Sequence, residues 1–141
     1  MFNLRRPSVL SALSALSALL ALSACGSTNP SDGITVATDQ TSYTTTDPVV
    51  VTITNTTNSD VAYSNCPERW DHKVGDSYTR VEELQECLVG STPLPAGESA
   101  TFSYTFPGGQ PAGTWRIPIP ITSPDGDKVG EARTGDFEEM D

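Results

Sequence analysis

The sequence predicts an all-β fold, an antiparallel β-sandwich of about seven short strands. Three observations carry this expectation. Beyond residue 33, apolar and polar residues alternate with period two, the repeat of a strand that buries one face. Gly, Pro and Asn interrupt the alternation at intervals of about ten residues, the turn spacing of a small sandwich. No segment in this region sustains the 3.6-residue apolar repeat of a helix.

Taken in order, Ile34-Thr35-Val36-Ala37-Thr38 alternates. Pro48 to Asn55 places Val49, Val51 and Ile53 on one face and Val50, Thr52 and Thr54 on the other. Asn55 to Asp60 reads as a turn before Val61 to Asn65. Trp70 to Val81 reads as a hairpin about Lys73 to Asp76, with Tyr78 on the return strand. Val81 to Leu88 (VEELQECL) is too short for a stable helix and reads as a strand end followed by a loop. Pro93 to Gly97 (PLPAG) turns into Ser99 to Phe106, where Phe102, Tyr104 and Phe106 share the core face. Pro111-Ala112-Gly113 turns into Thr114 to Ile121, with Trp115, Ile117, Ile119 and Ile121 inward. Lys128 to Phe137 closes the chain.

Pro118 and Pro120 complicate the last but one of these runs. Residues two apart present their N–H groups to the same edge, so this edge loses two consecutive ladder donors. Either the strand is an edge there, or its neighbour stops short or bows away.

Residues 1–24 stand apart. Arg5 and Arg6 precede an apolar run of Leu, Ala and Ser from Leu10 to Ala24, shorter than the ~20 residues a spanning helix needs. Leu22-Ser23-Ala24-Cys25 with Gly26 resembles a bacterial lipobox. The resemblance implies that residues 1–24 are a signal peptide and that Cys25 is lipidated. Two or three acyl chains would then make membrane attachment effectively irreversible. The implied location is the cell envelope, facing the periplasm or exterior, at the outer membrane where the host has one. Residues 25–33 form a polar tether, and residues 34–141 form the domain.

Lipidation would consume one of three cysteines and leave Cys66 and Cys87 to pair in an oxidising compartment. Closing that loop of about 22 residues stabilises the fold by about 3 kcal/mol on the chain-entropy account. There is no CxxC redox motif.

Beyond Cys25 the chain keeps 6 basic residues against 18 acidic ones, a net charge of −12. Nucleic acid and anionic headgroups repel such a surface, so nucleic-acid binding is excluded as an expectation. Asp125-Gly126-Asp127 signals a turn and lacks the spacing of a calcium loop.

Several motifs together resemble the bacterial immunoglobulin-like domains found singly in exported lipoproteins. They are Tyr43 with Asp47-Pro48 and Val49 to Asn55; Asn65-Cys66 and Cys87; Leu94-Pro95-Ala96-Gly97-Glu98-Ser99; Pro111-Ala112-Gly113-Thr114-Trp115-Arg116; and Asp136-Phe137. The resemblance implies a seven-stranded sandwich. Trp115 takes the place of a tyrosine at the start of the penultimate strand and offers an indole N–H instead of a phenolic O–H. Pro118 and Pro120 fall on a strand that is central in that topology. A related sandwich family includes an intracellular proteinase inhibitor, so inhibition is carried as an alternative function, although no reactive loop is evident.

No catalytic constellation is present in the sequence. His72 is the lone histidine and is expected exposed near a hairpin tip; no second His or free Cys accompanies it to form a zinc or hydrolase site. The expectation is therefore no enzyme, no cofactor and no metal. Trp70 and Tyr78, with Tyr63, are candidates for a glycan-stacking platform, against the reading that Trp70 and Tyr78 cap the core. Glu82, Glu83 and Glu86 are candidates for cation contact, against a solvated acidic loop. The expected activity is a non-catalytic binding or scaffold role with an envelope protein or glycan as partner.

Overall fold

A computed structural model describes residues 33–66, 68–82 and 90–140. Those residues form twelve strands and no helix. In chain order they are β1 (Ile34–Thr38), β2 (Ser42–Thr44), β3 (Pro48–Asn55), β4 (Val61–Ser64), β5 (Arg69–Val74), β6 (Ser77–Glu82), β7 (Ser91–Leu94), β8 (Ser99–Thr105), β9 (Gly113–Arg116), β10 (Pro118–Thr122), β11 (Lys128–Arg133) and β12 (Phe137–Met140).

Three sheets result, in the orders β1-β3-β8, β11-β10-β4-β7 and β2-β12-β9-β5-β6. The strand pairs are antiparallel except β2 with β12. The last two sheets are two ends of one bent layer. In it β4 leads into β5, β9 into β10 and β11 into β12, each across a short break. β1 and β2 form another broken run, whose first half pairs with β3 in one layer while its second half pairs with β12 in the other. Counted as continuous runs, the chain therefore makes an immunoglobulin-like sandwich of about the expected size.

Apolar alternation sets the core as expected. Val49, Val51 and Ile53 from β3 face Trp70, Trp115, Ile117, Ile119, Ile121 and Phe137, all essentially inaccessible. Trp70 packs edge-on to Phe106 at 5.2 Å, and Phe106 edge-on to Trp115 at 5.0 Å. Such pairs add to area burial because ring edges meet ring faces. Phe102 lies at the core margin, half-buried and stacked on Tyr63 at 5.2 Å.

The prolines are accommodated where the neighbour bows away. Ile117 and Thr134 face one another. The Thr134 N–H donates to the Ile117 carbonyl at 3.0 Å, and the Ile117 N–H donates to Thr134 Oγ1 at 2.9 Å. At period two, Ile117, Ile119 and Ile121 thus turn their backbone groups to the β11 side, and Pro118 and Pro120 turn theirs to the β4 side. On that side β10 pairs with β4 only at Ile121 and Thr122, and β9 pairs with β5 only at Asp71 and His72. From Tyr63 to Asp71 the chain takes eight steps where Arg116 to Ile121 takes five, so it leaves the ladder opposite the prolines. The strand is central, and it needs no donor there.

Asn55 joins two of the sequence motifs. Its Nδ2 donates to the carbonyls of Ser59 (2.9 Å), Leu94 (3.1 Å) and Pro95 (3.2 Å), and its Oδ1 accepts from Thr57 N (3.0 Å) and Thr57 Oγ1 (2.6 Å). Its backbone N–H donates to Glu98 O and its carbonyl accepts from Gly97 N, both at 2.9 Å. Gly97 adopts φ +77°, which lets the Leu94-to-Glu98 turn wrap this side chain.

Candidate functional site

The five-stranded sheet turns one face to the core and the other to solvent, and strand alternation divides its residues cleanly. On β5, Trp70 and His72 point inward while Arg69, Asp71 and Lys73 point outward. β6 adds Tyr78, Arg80 and Glu82 to the outer face, and β9 adds Thr114 and Arg116, since Lys73 pairs with Tyr78 and Asp71 with Arg80 and Arg116.

These outer side chains form a connected polar layer. Asp71, nearly buried, accepts from Arg116 Nε at 3.1 Å and lies 3.3 Å from Arg69 Nε. Arg69 reaches on to Glu131 at 3.0 Å, and Arg133 meets the same carboxylate at 2.9 Å. The Arg116 guanidinium lies over the Tyr78 ring, 3.5 Å from its centroid, a cation–π contact. The Tyr78 hydroxyl donates to Asp136, which also faces Lys73 Nζ at 3.6 Å. Arg80 and Glu82 pair at 3.2 Å, and Thr114 Oγ1 donates to Glu138 at 2.6 Å.

The charge arithmetic makes this face distinct. Arg69, Lys73, Arg80, Arg116 and Arg133 are matched here by Asp71, Glu82, Glu131, Asp136 and Glu138. Lys128 is the only basic residue after Cys25 that lies elsewhere, against nine further acidic side chains among the described residues. One sheet face is charge-balanced while the rest of the molecule is strongly negative.

The Tyr78 hydroxyl is pushed up to about 12, first by burial and then by its hydrogen bond to Asp136. It stays a neutral donor at ordinary pH and is not poised as a nucleophile. No group of three or more metal-ligating side chains occurs among the described residues. The arrangement is suited to polar recognition: Arg80, Glu82 and Lys73 present accessible charged ends on a layer held rigid by Asp71.

The residues singled out from sequence scatter across the structure. Trp70 is fully buried, so it corrects the stacking-platform candidate: its ring has no accessible face. Tyr63 is buried as well, and Tyr78 lies on the opposite sheet face from Trp70. The capping alternative holds for Trp70 but not for Tyr78, which covers no core. Glu82 is exposed and paired with Arg80. Glu83 and Glu86 lie outside the described residues, as do Cys25 and Cys87. Cys66 follows β4 and is not a free thiol.

His72 is a second correction. It sits within β5, half-buried, and not at the hairpin tip, which is Gly75-Asp76 between Val74 and Ser77. Its ring stacks on Trp115 at 4.3 Å and closes over Gly113, where an added Cβ would lie 3.0 Å from Nε2. Trp115 in turn donates its indole N–H to the Pro111 carbonyl at 3.3 Å, four residues upstream. That is the tie a corner tyrosine makes with its hydroxyl.

Asp71, Arg116, Arg69 and Glu131 were not singled out from sequence. A signal existed: Arg69, Asp71 and Lys73, charged residues of both signs, recur at period two within one short run.

No protein-family model matches the chain, and no curated protein resembles it in sequence. The solved structures to which the chain is similar include these two. One is a Niemann-Pick type C2 protein from the Japanese carpenter ant, with TM-score 0.40 and 8% identity over 72% of this chain and 81% of that one. The other is the Pseudomonas fluorescens alkylpurine DNA glycosylase AlkC bound to DNA containing an abasic site analog, with TM-score 0.38 and 10% identity. It is matched over 77% of this chain and 31% of its own length.

Proposed function

We propose that the chain is a non-catalytic binding module, held at the cell envelope by lipid on Cys25, that engages a protein partner through the outer face of β5, β6, β9 and β12. One observation carries this reading: four of the six basic residues after Cys25 gather on that face in an ion-paired layer that Glu131 extends to Arg133 of β11, in a chain whose net charge after Cys25 is −12. Elsewhere the acidic surface repels most envelope polymers and other copies of itself, whereas this face admits close approach. The layer is also ordered in advance, because Asp71 and Tyr78 hold Arg116 before any partner arrives. A Cys66–Cys87 disulfide would staple the region preceding β5 and following β6.

The test uses the full chain in envelope membranes, with a photo-crosslinking residue at Arg80 or at Thr101 on the outer face of the opposite sheet. One discrete adduct from position 80, lost on Arg116→Glu and absent from position 101, is the expected result. Equal adducts from both positions, or hydrolytic or redox turnover by the purified protein, would overturn the reading.

A further inference from the structure

The end of the sandwich where the domain begins carries a cleft of about 190 Å3 lined by Ile34, Thr57, Ser59, Val61, Ile121, Val129 and Gly130. Among the described residues no charged side chain lines it, in a chain of strongly acidic character. A β-bulge sets its mouth: Ile121 pairs with Gly130 and Thr122 with Lys128, so Val129 is the extra residue. Bulges re-aim side chains, and here Val129 is left 54% exposed at the cleft. Lys128, the one basic residue away from the ion-paired face, adjoins it.

We infer that this end of the domain rests on the surface of a zwitterionic bilayer, with Val129 and the cleft mouth entering the interfacial region. The inference rests on the proposed lipid anchor at Cys25. The chain enters the domain at Ile34, which itself lines the cleft. Residues 26–33 (GSTNPSDG) can reach at most about 28 Å, the length of a fully extended chain. That leash keeps the cleft at the membrane, so a weak contact becomes effective through high local concentration. The tether offers no aliphatic or aromatic side chain besides Pro30 to fill the cleft itself. A second copy is disfavoured by net charge, and Asp125 and Asp127 in the β10–β11 turn disfavour anionic lipid.

Among the described residues, the other exposed large apolar side chains, Val74 and Met140, lie at the far ends of β5 and β12. Val74 therefore supplies a control of equal exposure. Full-length acylated protein carrying Val129→Trp or Val74→Trp is placed in phosphatidylcholine vesicles with and without brominated acyl chains. Trp70 and Trp115, both buried, give the baseline. Loss of the added emission for Val129→Trp but not Val74→Trp is expected. Quenching of Val74→Trp instead, or of neither variant while the protein floats with the vesicles, overturns the inference and leaves the anchor standing. Protein that fails to float and shows no acyl mass on Cys25 overturns the anchor reading, and this inference with it.

Discussion

Asn55 is the side chain on which most of the turn geometry converges. It is fully buried, and its amide satisfies carbonyls from two separate chain segments. Asn55→Ala leaves those carbonyls and the Thr57 N–H without their partner, and should cost about 3 kcal/mol, since each orphaned buried group costs roughly 1–3. Urea unfolding measures it; a loss below about 0.5 kcal/mol, the range of neutral surface changes, would contradict the account. The four tyrosines make a second residue-scale case. Tyr43 and Tyr78 are pushed up to about 12, and Tyr63 and Tyr104 are also raised, burial being the first cause in each. Because the folded state favours the neutral phenol, this stability is complete below the unfolded value near 10 and is lost as pH rises from there towards 12. Absorbance at 295 nm should show no tyrosine ionising near pH 10 in the folded protein, and denaturant midpoints should fall across pH 10–12. Tyr43→Phe should lessen that fall.

Elements in this fold are long strands broken where sequence demands it. The break between β9 and β10 is bridged by the buried Thr134 hydroxyl, which satisfies the Ile117 N–H where a backbone carbonyl would ordinarily serve. Thr134→Val keeps the shape and removes the acceptor, and should lower stability by about 2 kcal/mol, whereas Thr134→Ser should cost well under half of that. Equal losses for the two variants, by thermal or denaturant unfolding, would show that packing of the methyl matters and the hydroxyl does not. The run from Thr114 to Ile121 was legible as one strand because alternation passes straight through Ile117. The break was not legible, because it depends on where β4 and β5 diverge across the sheet. The two prolines revealed only that some neighbour must be missing. In the same way Pro93 to Gly97 was readable as a turn, although Pro93 and Leu94 belong to β7, and its enclosure of Asn55, about forty positions earlier, belongs to tertiary contact alone.

Across the whole domain, negative charge is spread over most of the surface while all the positive charges but Lys128 lie in one ion-paired layer. Self-repulsion of the acidic surface is screened by salt, but the short, partly buried pairs around Asp71 are screened much less. Raising NaCl from about 10 mM to about 500 mM should therefore raise Tm by a few degrees, the size expected when a domain this small gains somewhat under 1 kcal/mol. A falling Tm over that range would show that attraction within the ion-paired layer outweighs repulsion across the acidic surface.

Fold class, the core face of the main strands, the turns and the sign of the surface could all be read from the chain alone, because they follow from local periodicity and composition. The indole N–H of Trp115 was likewise marked as a donor, and it reaches the Pro111 carbonyl. Which face each aromatic serves was settled by the assembled sheets. Trp70 and Tyr78 alternate in strands that look alike in sequence, yet one is sealed in the core and the other lies beneath Arg116. Their faces depend on register between β5, β6 and β9, and a one-residue slip would exchange them. The gathering of Arg69, Asp71, Arg116 and Glu131 is tertiary as well: the assembled strands bring together charges that lie up to 62 positions apart in the chain.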